Sequence, residues 1–171
     1  DGMAALQDHL EAAALAFDMR RDDGNFRLAI DRSFTIAGAG LVVTGTVYAG
    51  RVSVGDRLLL SPAGTPVRVR AIHAQNRDAA QGRAGERCAL NITGSGIGRH
   101  SAHRGDWILA EPAHAPVRRL DATLGLLGSE QRALRHWTPV HLHLAAVAVT
   151  GRVAVLEGGS IAPGKSGLVQ L

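Results

Sequence analysis

The spacing of hydrophobic positions changes once along the chain. Met3, Leu6, Leu10, Ala13, Ala14 and Phe17 recur at helical spacing, which predicts a short amphipathic helix ending before the polar run Arg20 to Asn25. From Phe26 the period is two: Phe26, Leu28 and Ile30 alternate with Arg27, Ala29 and Asp31, as on a half-buried strand that ends at Asp31 and Arg32. The runs LVVTGTVYA, RVSV, LLLSP and PVRVRAIHA follow, separated by Gly and Pro turns. A loop over 75–85 precedes Arg87 to Thr93, where Cys88, Leu90 and Ile92 share one face and Arg87 points outward or into a groove. The glycine-rich GSGIGRHSAHRGD leads to Trp107-Ile108-Leu109, and the two prolines of the stretch from Glu111 to Pro116 mark a boundary. Beyond it VRRLDATLGLL, VHLHLAAVAV, GRVAVL and GKSGLVQL are strand-like again. Short strands closely spaced between turns predict an all-β fold. Residues 1–25 read as helix plus linker, 26–112 as a complete β-barrel, and 113–171 as the first part of a second barrel, too short to close. Without helix–strand alternation, a doubly wound sheet is excluded.

Composition narrows the class. With 46% hydrophobic but only 4% aromatic residues, the core must consist of Val, Leu, Ile and Ala. The single cysteine, Cys88, excludes an internal disulfide framework and a cysteine zinc cluster, and fits a reducing, cytoplasmic location. No apolar run approaches the roughly 18 residues that span a bilayer, and the start lacks a signal-peptide pattern, so no membrane partner is expected. The opening Asp1-Gly2 and the apolar close over 167–171 read as a piece of something longer. Residues 1–25 hold six acids and two arginines, which leaves 17 basic against nine acidic residues on the rest. Lys165 is the only lysine. Guanidinium forks match phosphate and carboxylate oxygens, so nucleic acid is a natural partner, although a composition rich in Ala, Gly and Arg explains the same bias.

Several motifs could carry chemistry. Residues 159–166, GSIAPGKS, fit the phosphate-loop pattern GxxxxGK[ST], but only GLVQL follows, with no room for the helix whose amino end cradles phosphate. Pro163-Gly164 reads equally well as a turn between strands. His141 and His143 share a strand face with His136 nearby, a partial zinc set that lacks a cysteine or glutamate at ligand spacing; packing or RNA-facing histidines are the plainer reading. His100 and His103, beside Arg99 and Arg104, read as a solvated basic loop. Ser33, Ser53 and Ser160 lack a nucleophile elbow, and Cys88 on an apolar face reads as structural. No catalytic residue is assigned. Asp31 and Arg32 at the end of one strand, and Arg87 at the start of another, would meet on one rim of a closed barrel, either as a binding site or as a surface salt bridge.

The run IDRSFTIAGAGLVVTGTVYAGRVSVGDRLLL, then GRAGERCALNITG and RGDWILAEP, closely resembles the second domain of translational GTPases of the elongation factor Tu type over residues 26–112. Within that family IDRSF, RVRAIHAQN, RGDW and HLHLAAVAVTGRV resemble the bacterial selenocysteine-specific branch. The resemblance implies two β-barrels behind a GTPase domain that is mostly absent here, with residues 1–25 as its last helix and linker. It implies GTP and Mg²⁺ in that absent domain and no cofactor or enzyme activity in these residues. The implied partners are selenocysteyl-tRNA, the ribosome at UGA codons, and an mRNA hairpin bound through carboxy-terminal domains that are also absent. The family's aminoacyl pocket is lined by an acid and two basic residues, which match Asp31, Arg32 and Arg87; the second is histidine in archaeal and eukaryotic members. The resemblance also implies a turn rather than a phosphate loop at Pro163-Gly164.

Overall fold

The computed structural model describes residues 2–16, 23–75 and 77–171. Phe17 and the start of the expected linker, through Asp22, lie outside the described residues. Helix α1 (Gly2–Ala16) forms where the periodicity predicts it, but Met3, Leu6, Leu10 and Leu15 on it are 51–90% exposed, so its apolar positions lie outside the buried cores of the described residues. No helix there is long and apolar enough to cross a membrane.

The strands of the first unit are β1 (Arg27–Ile36), β2 (Gly40–Ala49), β3 (Arg51–Ser53), β4 (Arg57–Ser61), β5 (Thr65–Ala74), β6 (Arg77–Ala79), β7 (Gln81–Arg83), β8 (Arg87–Thr93) and β9 (Trp107–Leu109). Six of them run in the order β4-β9-β1-β2-β8-β5, and a further β4–β5 pairing closes the ring, so the sheet is a barrel without free edges. Alternating positions, interrupted at the bulges of β1 and β5, fill its interior: Leu28, Ile30, Val43, Val47, Val69, Ile72, Leu90, Ile92 and Ile108 are fully buried. Gly45 is required by closeness, since a Cβ there would stand 1.9 Å from the Ala29 carbonyl oxygen.

Two expectations are corrected here. The first strand does not end at Asp31 and Arg32; it continues to Ile36 and pairs with β2 throughout. The periodic signal breaks there because an extra residue enters the strand, which shifts the alternation. The loop over 75–85 likewise contains β6, which pairs antiparallel with β5, and β7, which pairs antiparallel with β3, strands too short to give a period of their own.

After a 3-10 turn at Glu111–Ala113 come β10 (Asp121–Gly125), β11 (Leu134–Arg135), β12 (Thr138–Leu144), β13 (Val147–Val155), β14 (Ser160–Ile161) and β15 (Ser166–Gln170). Their sheet, β10-β15-β13-β12, stays open, with a separate β11–β14 ribbon, and forms a half-barrel around Val153, Val155, Ile161 and Val169. The run VHLHLAAVAV is not one strand: it turns at Ala145, whose φ is 51°, into the β12–β13 hairpin.

Candidate functional site

Asp31 owes its position to a β-bulge. Ile30 pairs with Gly45 and Arg32 with Thr44, leaving Asp31 as the extra residue between them. Just before the start of β9, Gly105 and Asp106 exchange backbone hydrogen bonds with Ile30, which fixes the bulge against the Arg104-Gly105-Asp106 turn. Across β2, Thr46 is opposite Arg87 at the start of β8, so two strand ladders bring the Arg87 side chain towards Asp31 from 56 residues away.

The result is a paired charge cluster at the rim. Arg87 Nη2 donates to Asp31 Oδ1 at 2.9 Å, Arg87 Nη1 donates to Oδ2, and Thr44 Oγ1 donates to Oδ1 at 2.8 Å. The two-pronged guanidinium–carboxylate geometry is the strong form of this bond. Burial pushes the Asp31 carboxyl up, but the hydrogen bonds from Arg87 and Thr44 and the charges of Arg87 and Arg32 outweigh it and hold its pKa below the usual carboxylate range. Asp31 in turn raises the pKa of Arg87. The Arg87 side chain stays 53% exposed and that of Asp31 26%, so the pair is open to exchange with a ligand from solvent.

The three residues named from the sequence therefore share one rim, with different roles. Arg87 is tied to Asp31, whereas Arg32 acts on Asp31 through its charge alone and lines an open groove of about 700 Å³ with Asp31, Ser33, His100, His103 and Arg104. Sequence reasoning missed Thr44, which stands out only by being polar in the apolar run LVVTG. It also missed Ser33, whose Oγ is buried beside the groove without a hydrogen-bond partner among the described residues. The loop read as solvated is the far wall of this groove.

The other candidates resolve differently. Cys88 is buried and its thiol is pushed up to about 11 by burial and by the charge of Glu86, which fits a structural residue. The GSIAPGKS segment runs from β14 through a turn, closed by Lys165 N–H donating to the Ala162 carbonyl at 3.0 Å, directly into β15. No helix follows, so it offers no phosphate cradle. His141 and His143 lie exposed on β12, and no group of three metal-ligating side chains occurs among the described residues.

Residues 40–109 match the family model of elongation factor Tu domain 2, and residues 121–171 match that of the selenocysteine-specific elongation factor β-barrel domain. The chain is 46% identical over 156 residues to the selenocysteine-specific elongation factor of Escherichia coli K12, covering 91% of this chain and 24% of that protein. The chain belongs to the selenocysteine-specific elongation factor family. The family's Haemophilus influenzae member is 36% identical, over 99% of this chain and 26% of its own length. The chain thus spans about a quarter of the length of these curated relatives. A crystal structure of translation elongation factor SelB from Methanococcus maripaludis, apo form, superposes with a TM-score of 0.79 at 22% identity, over 99% of this chain and 40% of that one, a likeness of fold. In this chain the closed barrel carries the elongation factor Tu domain 2 match and the half-barrel carries the match to the selenocysteine-specific elongation factor β-barrel domain.

Proposed function

We propose that this chain is the aminoacyl-tRNA-binding barrel region of a selenocysteine-specific translation elongation factor, which delivers selenocysteyl-tRNA to the ribosome at UGA codons. In this reading residues 26–112 are the second domain, 113–171 the beginning of the third, and 1–25 the last helix and linker of a GTPase domain. GTP and Mg²⁺ serve that domain in the cytoplasm, these barrels have no enzyme activity of their own, and the mRNA hairpin is recognised elsewhere in the whole protein. The exposed apolar positions of α1 suit a helix that packs on such a domain.

The observation that carries the reading is the Asp31–Arg87 pair beside Arg32. A selenol is far more acidic than a thiol, whose free pKa is about 8.5, and is an anion near neutral pH. The α-ammonium of the aminoacyl ester replaces Arg87 on Asp31, and the released guanidinium, with Arg32, takes the selenolate. Each charge finds a new partner. With seryl-tRNA the same exchange leaves Arg87 facing a neutral hydroxyl, so discrimination comes from a charge left poorly satisfied.

The test is protection of the ester bond against hydrolysis, on one tRNA body carrying either amino acid. Selective protection of the selenocysteyl ester supports the reading, and equal protection of both favours a general translation-factor barrel. A charged hydrogen bond contributes about 1.5–3 kcal/mol, less on an exposed rim, so Arg87→Ala is expected to weaken selenocysteyl protection roughly tenfold and seryl protection little.

A further inference from the structure

A second charged surface lies across the first barrel from Asp31. In the ring β4-β9-β1-β2-β8-β5, the β4–β5 seam is opposite the β1–β2 seam that carries Asp31 and Thr44. On it, Arg57 of β4 stands directly opposite Arg68 of β5. Both are exposed while Leu58, Val67 and Val69 beside them are buried, so both guanidinium groups project from the outer face. Arg70, two residues further along β5, is exposed as well, and Thr93 of β8 lies opposite Arg68 on its other side. Arg68 Nη2 comes within 3.9 Å of the place a Cβ on Gly55 would occupy, and so reaches across the bare turn before β4.

Directly opposed strand residues hold their Cβ atoms about 4.5–5.5 Å apart, and like charges there oppose sheet formation. Among the described residues no carboxylate pairs with Arg57, Arg68 or Arg70. The nearest acids have other contacts and form no ion pair with the row: Asp56 Oδ2 accepts from the Ser53 N–H at 2.8 Å, and Asp78 lies 3.0 Å from His73 Nε2. A like-charge row that opposes sheet formation and forms no ion pair among the described residues is a surface that an external polyanion would neutralise.

We infer that the Arg57–Arg68–Arg70 face binds the phosphate backbone of double-helical RNA, as a contact separate from the Asp31 rim. Guanidinium forks grip phosphate oxygens, and the Thr93 hydroxyl adds a neutral donor. The Arg57–Arg68–Thr93 row carries no aromatic side chain on which unpaired bases could stack, which favours a duplex over a single strand. This inference does not depend on the selenocysteine assignment, because it uses other residues on the opposite side of the ring.

The test titrates the whole chain against a fluorescent RNA duplex of about 20 base pairs at several salt concentrations. Arg57→Ala/Arg68→Ala is expected to lower affinity about tenfold or more at low salt and to flatten the log–log salt dependence by nearly two, at about 0.9 per phosphate contact. Arg132→Ala/Arg135→Ala, an equal loss of charge in the half-barrel, is expected to have a smaller effect. Equal losses in the two variants overturn the proposal, and so does competition by polyglutamate as effective as that by unlabelled duplex, which would indicate an acidic protein partner. A second readout needs no RNA: relieving the repulsion should raise the Tm of Arg57→Ala at low salt, with the gain shrinking as salt rises. A lowered Tm would mean the pair is structural and would overturn the proposal. Selenocysteyl-ester protection by the double variant stays at its original level, so failure here is distinguishable from failure at the rim.

Discussion

Asp31 is held by three donors' worth of charge and hydrogen bonding, and its ionised form therefore stabilises the folded state. Because its pKa is depressed on folding, that contribution is present above the ordinary carboxylate pKa and is lost as pH falls into and below the carboxylate range. Asp31→Asn is accordingly expected to lower Tm at neutral pH, with the gap from the unaltered chain closing in acid; a gap independent of pH would show that the carboxylate charge is irrelevant. Residue identities alone suggested an acid and two basic groups at one rim. They could not assign the pairing, because whether Arg32 or Arg87 reaches the carboxylate depends on the bulge and on strand neighbours. Thr44 escaped notice for the same reason. Cys88 shows the opposite case: alternation alone put it in the core, and its buried, weakly acidic thiol follows. A Cβ on Gly82 would lie 2.6 Å from the Cys88 Sγ. Gly82→Ala is expected to cost about 1–3 kcal/mol by overpacking, and clearly less in a Cys88→Ala background, as measured by a double-mutant cycle in denaturant.

At the scale of elements, the first barrel depends on close backbone approach at the centre of β2. The Ala29 carbonyl occupies the place where any side chain at 45 would begin, and no rotamer relieves a clash of Cβ with backbone. Gly45→Ala should therefore abolish the cooperative thermal transition of the barrel, while Gly38→Ala, at a hairpin tip with open space around it, should leave a cooperative transition at reduced Tm because only its positive φ is strained. Most strands were legible from alternation, since each has one buried and one exposed face. The parts that were not legible have physical reasons. A bulge interrupts the period at Asp31, β6 and β7 are three residues each, and the Ala145 turn uses neither Gly nor Pro, so the sequence carries no conventional breaker there.

At the scale of the whole molecule, the barrel and the half-barrel meet through the same turn that fixes the Asp31 bulge. Arg104 Nε donates to the Ala146 carbonyl at 3.0 Å, and the bare α-carbon of Gly105 receives Val147 so closely that a Cβ would lie 2.7 Å away. The tip of the β12–β13 hairpin thus rests on the Arg104-Gly105-Asp106 turn. Arg104→Ala is expected to loosen this joint and to speed tryptic cleavage at Arg118 and Arg119, in the connection between the units, several-fold; an unchanged rate would mean that the joint is held by packing at Gly105 alone. By itself the sequence determined the all-β class, the alternating core positions and the family, because alternation, turn residues and contiguous motifs are local along the chain. Only the tertiary structure decided which arginine holds Asp31, that the basic loop walls a groove, and that Arg57 stands against Arg68. Those facts depend on strand register and ring closure, which join residues from distant parts of the chain that no local pattern connects.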